Sequence, residues 1–220
     1  MMFSMAKKKL IIFDLDGTLI NTVPDLNNAV NFAMRKFNFP DRTILQTTND
    51  IGNGVAVLIA RSIPNGMENP AYSECLATFR QFYREHYFDK SLPYSSISEV
   101  LGELKNRGYQ LAVVSNKFDE GAKKLILHFF PNTFSLIQGE KMPLRTKPSP
   151  DMVEFVLSSL NVKKEDAIYV GDTEVDYQTA TNSGIDCVLV SYGYRNKDQL
   201  LEKTKNAPIV DAPIDLLNIF

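Results

Sequence analysis

Cysteine and histidine are scarce in this 220-residue chain, with two of each. Cys75 and Cys187 cannot build a disulfide framework and do not have metal-ligand spacing, so a reducing cytoplasm is the expected compartment. His86 and His128 fall in different helical stretches, and neither is assigned as a ligand or a base. No apolar run is long enough to span a bilayer. The basic start, Lys7 to Lys9, is followed by the short run Leu10 to Phe13 before Asp14 interrupts it, too little for the hydrophobic segment of a signal peptide. A net charge of −2 gives no positive excess to attract nucleic acid or an anionic membrane. Internal repeats and low-complexity tracts are also lacking.

What is present is ordinary globular material. A content of 44% hydrophobic and 23% charged residues suits one domain, or one domain carrying a smaller insertion. After the opening strand, Leu26, Ala29, Val30, Ala33, Met34 and Phe37 recur at helical spacing. A second helix is expected from about Gly54 to Ser62, and a third carries Tyr72, Cys75, Leu76, Phe79, Phe82, Tyr83 and Tyr87. Beyond "KSLPYSS" the pattern changes. A helix ending at Gly108 leads to the strand "QLAVVS", then come a helix to Phe130, the strand "FSLIQ", a helix from Pro150 to Leu160, and the strand "AIYVG". A helix stopped by Gly184 and the strand "DCVLV" follow. This alternation predicts an α/β fold, a Rossmann-like parallel sheet with helices on both faces. Residues 1–20 and 92–220 form its core, and residues 21–91 form an all-α insertion placed after the first strand.

In such a sheet, ligands bind beyond the carboxyl ends of the strands. The first strand, in "KKKLIIFDLDGTLINT", ends in Asp14 and Asp16; the second delivers Ser115 and Asn116. Lys147 stands in the loop "RTKPSP", and "GDTEVD" supplies Asp172, Thr173 and Asp176. Taken singly, each has a purely structural explanation. Asp16-Gly17 reads as a turn, Ser115, Asn116, Asp172 and Thr173 as helix caps, Lys147 and Asp176 as solvated residues. Taken together they gather at least three carboxylates in one crevice. At ~4–6 Å and an effective dielectric of about 20, each like-charge pair costs on the order of 3–4 kcal/mol. A hard divalent cation reverses that penalty, and Mg²⁺ with retained waters suits so few carboxylates. Ser115 and Lys147 add a hydroxyl and a fixed positive charge, a clamp for a transferring phosphoryl group.

The segments "DLDGTL", "VVSNK", "KPSP" and "GDTEVD", in this order, resemble the four motifs of the haloacid dehalogenase superfamily of phosphohydrolases, over nearly the whole chain. The helical insertion resembles that superfamily's α-helical cap. "TVPDL", "IGNG" and Arg61 look more narrowly like phosphoglycolate phosphatases, whereas Ser95 and Ser96 stand where those enzymes usually continue with Pro-Gly.

The resemblance implies that Asp14 is the nucleophile, forming a phospho-aspartate. Asp16 would protonate the leaving alkoxide and later deprotonate the attacking water, its pKa raised by neighbouring carboxylates. Mg²⁺ would bind Asp14, the main-chain carbonyl of Asp16, and Asp172. Asp176 and Thr173 would lie one layer further out, and Ser115, Asn116 and Lys147 would bind phosphate. Gly52-Asn53-Gly54 is a specificity loop or only a helix start, and Arg61 pairs with a substrate carboxylate or with a surface partner. The expected partner is a small phosphorylated metabolite, 2-phosphoglycolate or a similar compound, with no nucleic acid or membrane, for a monomer or homodimer. Pyrophosphatase, nucleotidase, sugar-phosphate phosphatase and phosphomutase share the motifs. A non-catalytic protein that binds a phosphorylated ligand is the rival from another class.

Overall fold

The computed structural model describes residues 8–52, 54–205 and 207–220. In chain order, β1 (Leu10–Phe13) and β2 (Ile20–Asn21) precede helices α1 (Val23–Lys36), α2 (Ile44–Asp50), α3 (Gly54–Ser62) and α4 (Tyr72–His86). Then follow β3 (Leu92–Pro93), α5 (Ile97–Asn106), β4 (Gln110–Phe118), α6 (Asp119–Phe129) and β5 (Leu136–Glu140). The chain closes with α7 (Asp151–Leu160), β6 (Ala167–Gly171), α8 (Glu174–Ser183), β7 (Asp186–Val190), α9 (Lys197–Lys203), β8 (Ile209–Val210) and α10 (Leu216–Ile219). Two compact units result. One runs through Leu19 and resumes at Pro93; the other is Ile20–Leu92.

The first unit is built on a six-stranded parallel sheet in the order β5-β4-β1-β6-β7-β8. All four residues of β1 are buried, as an apolar strand with neighbours on both edges and helices on both faces requires. Leu10 and Ile12 face a core filled by Met152, Val153, Val156 and Leu157 of α7, with Ala112, Val114, Ala167 and Tyr169 from the flanking strands. Phe13, on the alternate face, meets Phe134 edge-on at 6.3 Å. From β1 the chain steps outward to β4 and β5, then returns to β6 on the other side, so the strand order reverses beside β1. Such a reversal opens a crevice at the strands' carboxyl ends.

In the second unit α1 packs on α4, burying Leu26, Ala29, Val30, Ala33 and Met34 on one helix and Cys75, Phe79 and Tyr83 on the other. Asp25 is fully buried at the start of α1, where its carboxylate accepts hydrogen bonds from the Lys90 and Ser91 amides and the Ser91 hydroxyl at 2.7–3.0 Å. Among the described residues, four packed α-helices fill the stretch, one more than the apolar periodicity predicts. The unforeseen one, α2, buries only Thr47 and is held by a capping box between Thr43 and Gln46, so it presents almost no hydrophobic face to detect. Two strand boundaries also differ from expectation. β4 runs on to Phe118, and β5 begins at Leu136 rather than Phe134. The β4–β5 register breaks between Val114 and Phe118, so Ser115, Asn116 and Lys117 form a bulge at the strand's end. No helix among the described residues is long and apolar enough to cross a membrane.

Candidate active site

β1 ends by donating the Asp14 amide to the Val170 carbonyl of β6 at 2.8 Å. That bond sets the Asp14 side chain beside the end of β6, where Asp172 follows Gly171. Among the described residues, Asp14, Asp172 and Asp176 each offer a carboxylate oxygen within 4.8 Å of the others, and all three are buried. One ammonium serves them: Lys147 Nζ lies 2.7 Å from Asp14 Oδ1 and 2.7 Å from Asp176 Oδ1, and donates to the Tyr169 hydroxyl at 3.2 Å. Three buried acids against one buried base leave negative charge in excess.

The consequences appear in the proton affinities. Burial, with Asp176 and Asp16 adding to it and Lys147 opposing, pushes the Asp14 carboxyl up to about 7. Asp172 rises well above the usual carboxylate range, first by burial and then by its neighbours Asp176 and Asp14. Burial pulls Lys147 down, but Asp14 and Asp176 together outweigh it and hold the ammonium charged. Asp16 lies beside the cluster, with the Lys117 ammonium 3.3 Å from its Oδ1.

The three acids are not equivalent. Asp176 Oδ2 accepts from the Asp172 and Thr173 amides and the Thr173 hydroxyl, at 3.2, 3.0 and 2.8 Å, and its Oδ1 faces Lys147. Its lone pairs are committed. Asp14 Oδ1 has as its partner the Lys147 ammonium, 2.7 Å away, which it shares with Asp176. Asp172 accepts one hydrogen bond per oxygen, from Thr18 Oγ1 at 3.1 Å and the Tyr194 amide at 2.7 Å, which leaves acceptor capacity on both. An excess of buried carboxylate oxygens fits a hard divalent cation held by Asp14 and Asp172.

Glycine makes the close packing possible. A Cβ on Gly17, whose φ is +89°, would stand 2.2 Å from Asp172 Oδ2, and one on Gly193 would stand 2.3 Å from the Gly17 carbonyl oxygen and 2.5 Å from Asp172. The bulge in β4 delivers the remaining groups. Ser115 is buried at the strand end and its Oγ accepts from the Lys117 amide at 3.2 Å. The Asn116 side chain takes the Lys147 amide at 2.7 Å and gives to the Lys147 carbonyl at 3.1 Å, clamping the main chain of the lysine that faces the acids.

Asp14, Asp16, Ser115, Asn116, Lys147, Asp172, Thr173 and Asp176 therefore all belong to the first unit, at one end of its sheet. Gly54 and Arg61 belong to the other unit, where Arg61 donates to the Asp50 carbonyl at 3.0 Å. Asn53 lies outside the described residues. Sequence reasoning passed over Lys117, Thr18, Tyr169, Gly193 and Tyr194. Lys117 and Thr18 sit inside motifs already singled out. Tyr169 could have been found as the only polar tip in the buried strand "AIYVG", since a buried hydroxyl needs partners; it donates to the Val114 carbonyl at 2.9 Å. The Tyr194 contact uses the main chain and leaves no side-chain signature.

A family model described as haloacid dehalogenase-like hydrolase matches residues 11–190. The chain is 31% identical over 218 residues to a phosphoglycolate phosphatase of Pseudomonas syringae pv. tomato, covering 96% of this chain and 79% of the relative. It is 32% identical over 217 residues to the phosphoglycolate phosphatase of Aliivibrio fischeri, covering 96% and 92%. Among solved structures, an inferred phosphoglycolate phosphatase from Lactobacillus delbrueckii subsp. bulgaricus superposes with a TM-score of 0.92 at 31% identity, over 97% of this chain and 98% of that one.

Proposed function

The chain belongs to the haloacid dehalogenase-like hydrolases and is a phosphoglycolate phosphatase-like phosphatase, and on that premise we propose that it hydrolyses 2-phosphoglycolate or a similar small phosphometabolite through a phospho-aspartate on Asp14. Asp14 attacks phosphorus, the bond to the leaving oxygen breaks, and an acyl phosphate forms. Asp16 gives the departing alkoxide its proton. It then takes one from the water that attacks the acyl phosphate, so that phosphate leaves and Asp14 is restored. Lys147 and Ser115 hold the phosphoryl oxygens as charge spreads over them. Lys117 orients the Asp16 side chain, and Asn116 serves by fixing the main chain of Lys147. Asp14, Asp172 and the main-chain carbonyl of Asp16 would hold Mg²⁺, which would supply neutralising charge for the carboxylates and the phosphoryl group. Asp176 and Thr173 hold Lys147 and the start of α8 in place.

The observation that carries this reading is the Asp14–Lys147 pair: a buried strand-end carboxylate held 2.7 Å from a fixed cation. A protein that only binds a phosphorylated ligand has no use for a nucleophile there. The helical unit Ile20–Leu92 is the cap, with residues 52–54 and Arg61 as its specificity elements, on a cytoplasmic monomer or homodimer. Phosphoglycolate names for the relatives support the substrate. The test is phosphate release, with and without Mg²⁺, from phosphoglycolate, pyrophosphate, sugar phosphates and nucleoside monophosphates. Phosphoglycolate should give the highest kcat/KM. Tenfold preference for another member reassigns the substrate, transfer to a sugar acceptor marks a mutase, and no release from any of them leaves a binding protein.

A further inference from the structure

The loop that follows β7, "SYGYRN" from Ser191 to Asn196, belongs to none of the four motifs, yet it lies against Asp172. Both of its ends are secured independently. The Ser191 amide donates to Val210 at 3.0 Å, and Asn196 caps α9 through a capping box with Gln199. The span between them is pressed onto the acid. Gly193 has no room for a Cβ, the Tyr192 hydroxyl donates to the Thr18 carbonyl at 3.1 Å, and the Tyr194 amide donates to Asp172 Oδ2 at 2.7 Å.

Arg195 comes next, and it is buried, with 3% of its side chain exposed. Desolvating a guanidinium costs several kcal/mol, and a buried ion pair seldom repays that as net stability. Its Nε reaches Glu174 Oε2 at 3.1 Å. Glu174 opens α8, two positions after Asp172, and its other oxygen meets Lys203 at the surface at 3.2 Å. The ion pair thus ties the residue after Tyr194 to the segment that carries Asp172.

We propose that the Arg195–Glu174 pair is a positioning device for Asp172. By locking the loop to the start of α8 it keeps the Tyr194 N–H on Oδ2. With Thr18 on Oδ1, this fixes the rotation of the carboxylate and turns its remaining lone pairs toward the divalent cation. The inference rests on the metal reading above, and it concerns residues outside the set that touches the reacting atoms.

The experiment measures Mn²⁺ affinity by electron paramagnetic resonance, alongside kcat at saturating Mg²⁺ and thermal melting. Arg195→Ala and Glu174→Gln should weaken Mn²⁺ binding by about 10- to 100-fold, with kcat largely recovered at saturating metal. Arg195→Lys should lose less than Arg195→Ala, and Lys203→Ala should bind as wild type does. If Arg195→Ala does not fold, Glu174→Gln, which keeps its shape, decides the matter. Folded variants with wild-type Mn²⁺ affinity and only a lowered melting temperature would overturn the proposal. A wild-type protein that takes up no Mn²⁺ would overturn it together with the metal reading.

Discussion

An ionised Asp14 must be desolvated, so the rise of its carboxyl from 3.8 to about 7 means that the folded chain keeps a proton that the unfolded chain releases near pH 4. Between those values the native state binds more protons than the unfolded one, and stability falls as pH rises until it levels off above about 7. Asp172 is displaced in the same direction. Relative to Asp14→Asn, the metal-free wild type should lose melting temperature between pH 5 and pH 7.5, and parallel melting curves would remove Asp14 as the source. The same substitution should cut turnover at least ~10³-fold while the fold persists, because the amide keeps the shape and loses the nucleophilic charge. A variant that kept a tenth of the rate, a barrier change of only about 1.4 kcal/mol, would still possess its nucleophile.

At the scale of elements, the turn after β1 is tightly constrained. Gly17→Ala forces a side chain into a positive-φ position and against Asp172, so it should cost about 2–4 kcal/mol of stability. Chemical denaturation would measure it, and a midpoint unchanged from wild type would mean that the turn can rearrange. β1, β6, β7 and most of the helices were legible because buried strands and amphipathic helices write their periods in apolar residues. Asp14 and Asp172 stood out because charge at a strand end is anomalous, whereas Asp176 and Lys147, each ordinary alone, were singled out only by their place in the ordered motifs. α2 was not legible, being held by Thr43 and Gln46 rather than by a hydrophobic face. The β4 bulge that presents Lys117 was not either, since a register shift depends on the neighbouring strand. In the helical unit, Arg61 ties α3 to the end of α2 through the Asp50 carbonyl, which holds its guanidinium without neutralising it. Arg61→Ala should lower kcat/KM for phosphoglycolate by about 10- to 100-fold, the worth of one charged contact, and barely change an uncharged aryl phosphate. Equal losses on both would make the arginine structural.

For the whole molecule, the buried acid cluster should make the folded state bind a divalent cation in preference to the unfolded one. Mg²⁺ at ~100 times its Kd adds about 2.7 kcal/mol, which raises the melting temperature of a chain this long by about 5–10 °C; excess EDTA should reverse this and stop phosphate release. Asp172→Ala should lose most of the shift, and a full shift in that variant would place the ion elsewhere. The position of β1 in the sheet also governs how the protein is born. Leu10 pairs with Gln110 and with Ala167, 100 and 157 positions further along. An all-apolar strand therefore waits through 100 residues of further synthesis for its first sheet partner and 157 for its second, an interval in which a chaperone has something to hold. The helices of Ile20–Leu92 find their partners nearby and can condense meanwhile. Asp14 meets Asp172 only once β6 has been translated, so a nascent chain carries Asp14 before the acid that stands beside it in the fold.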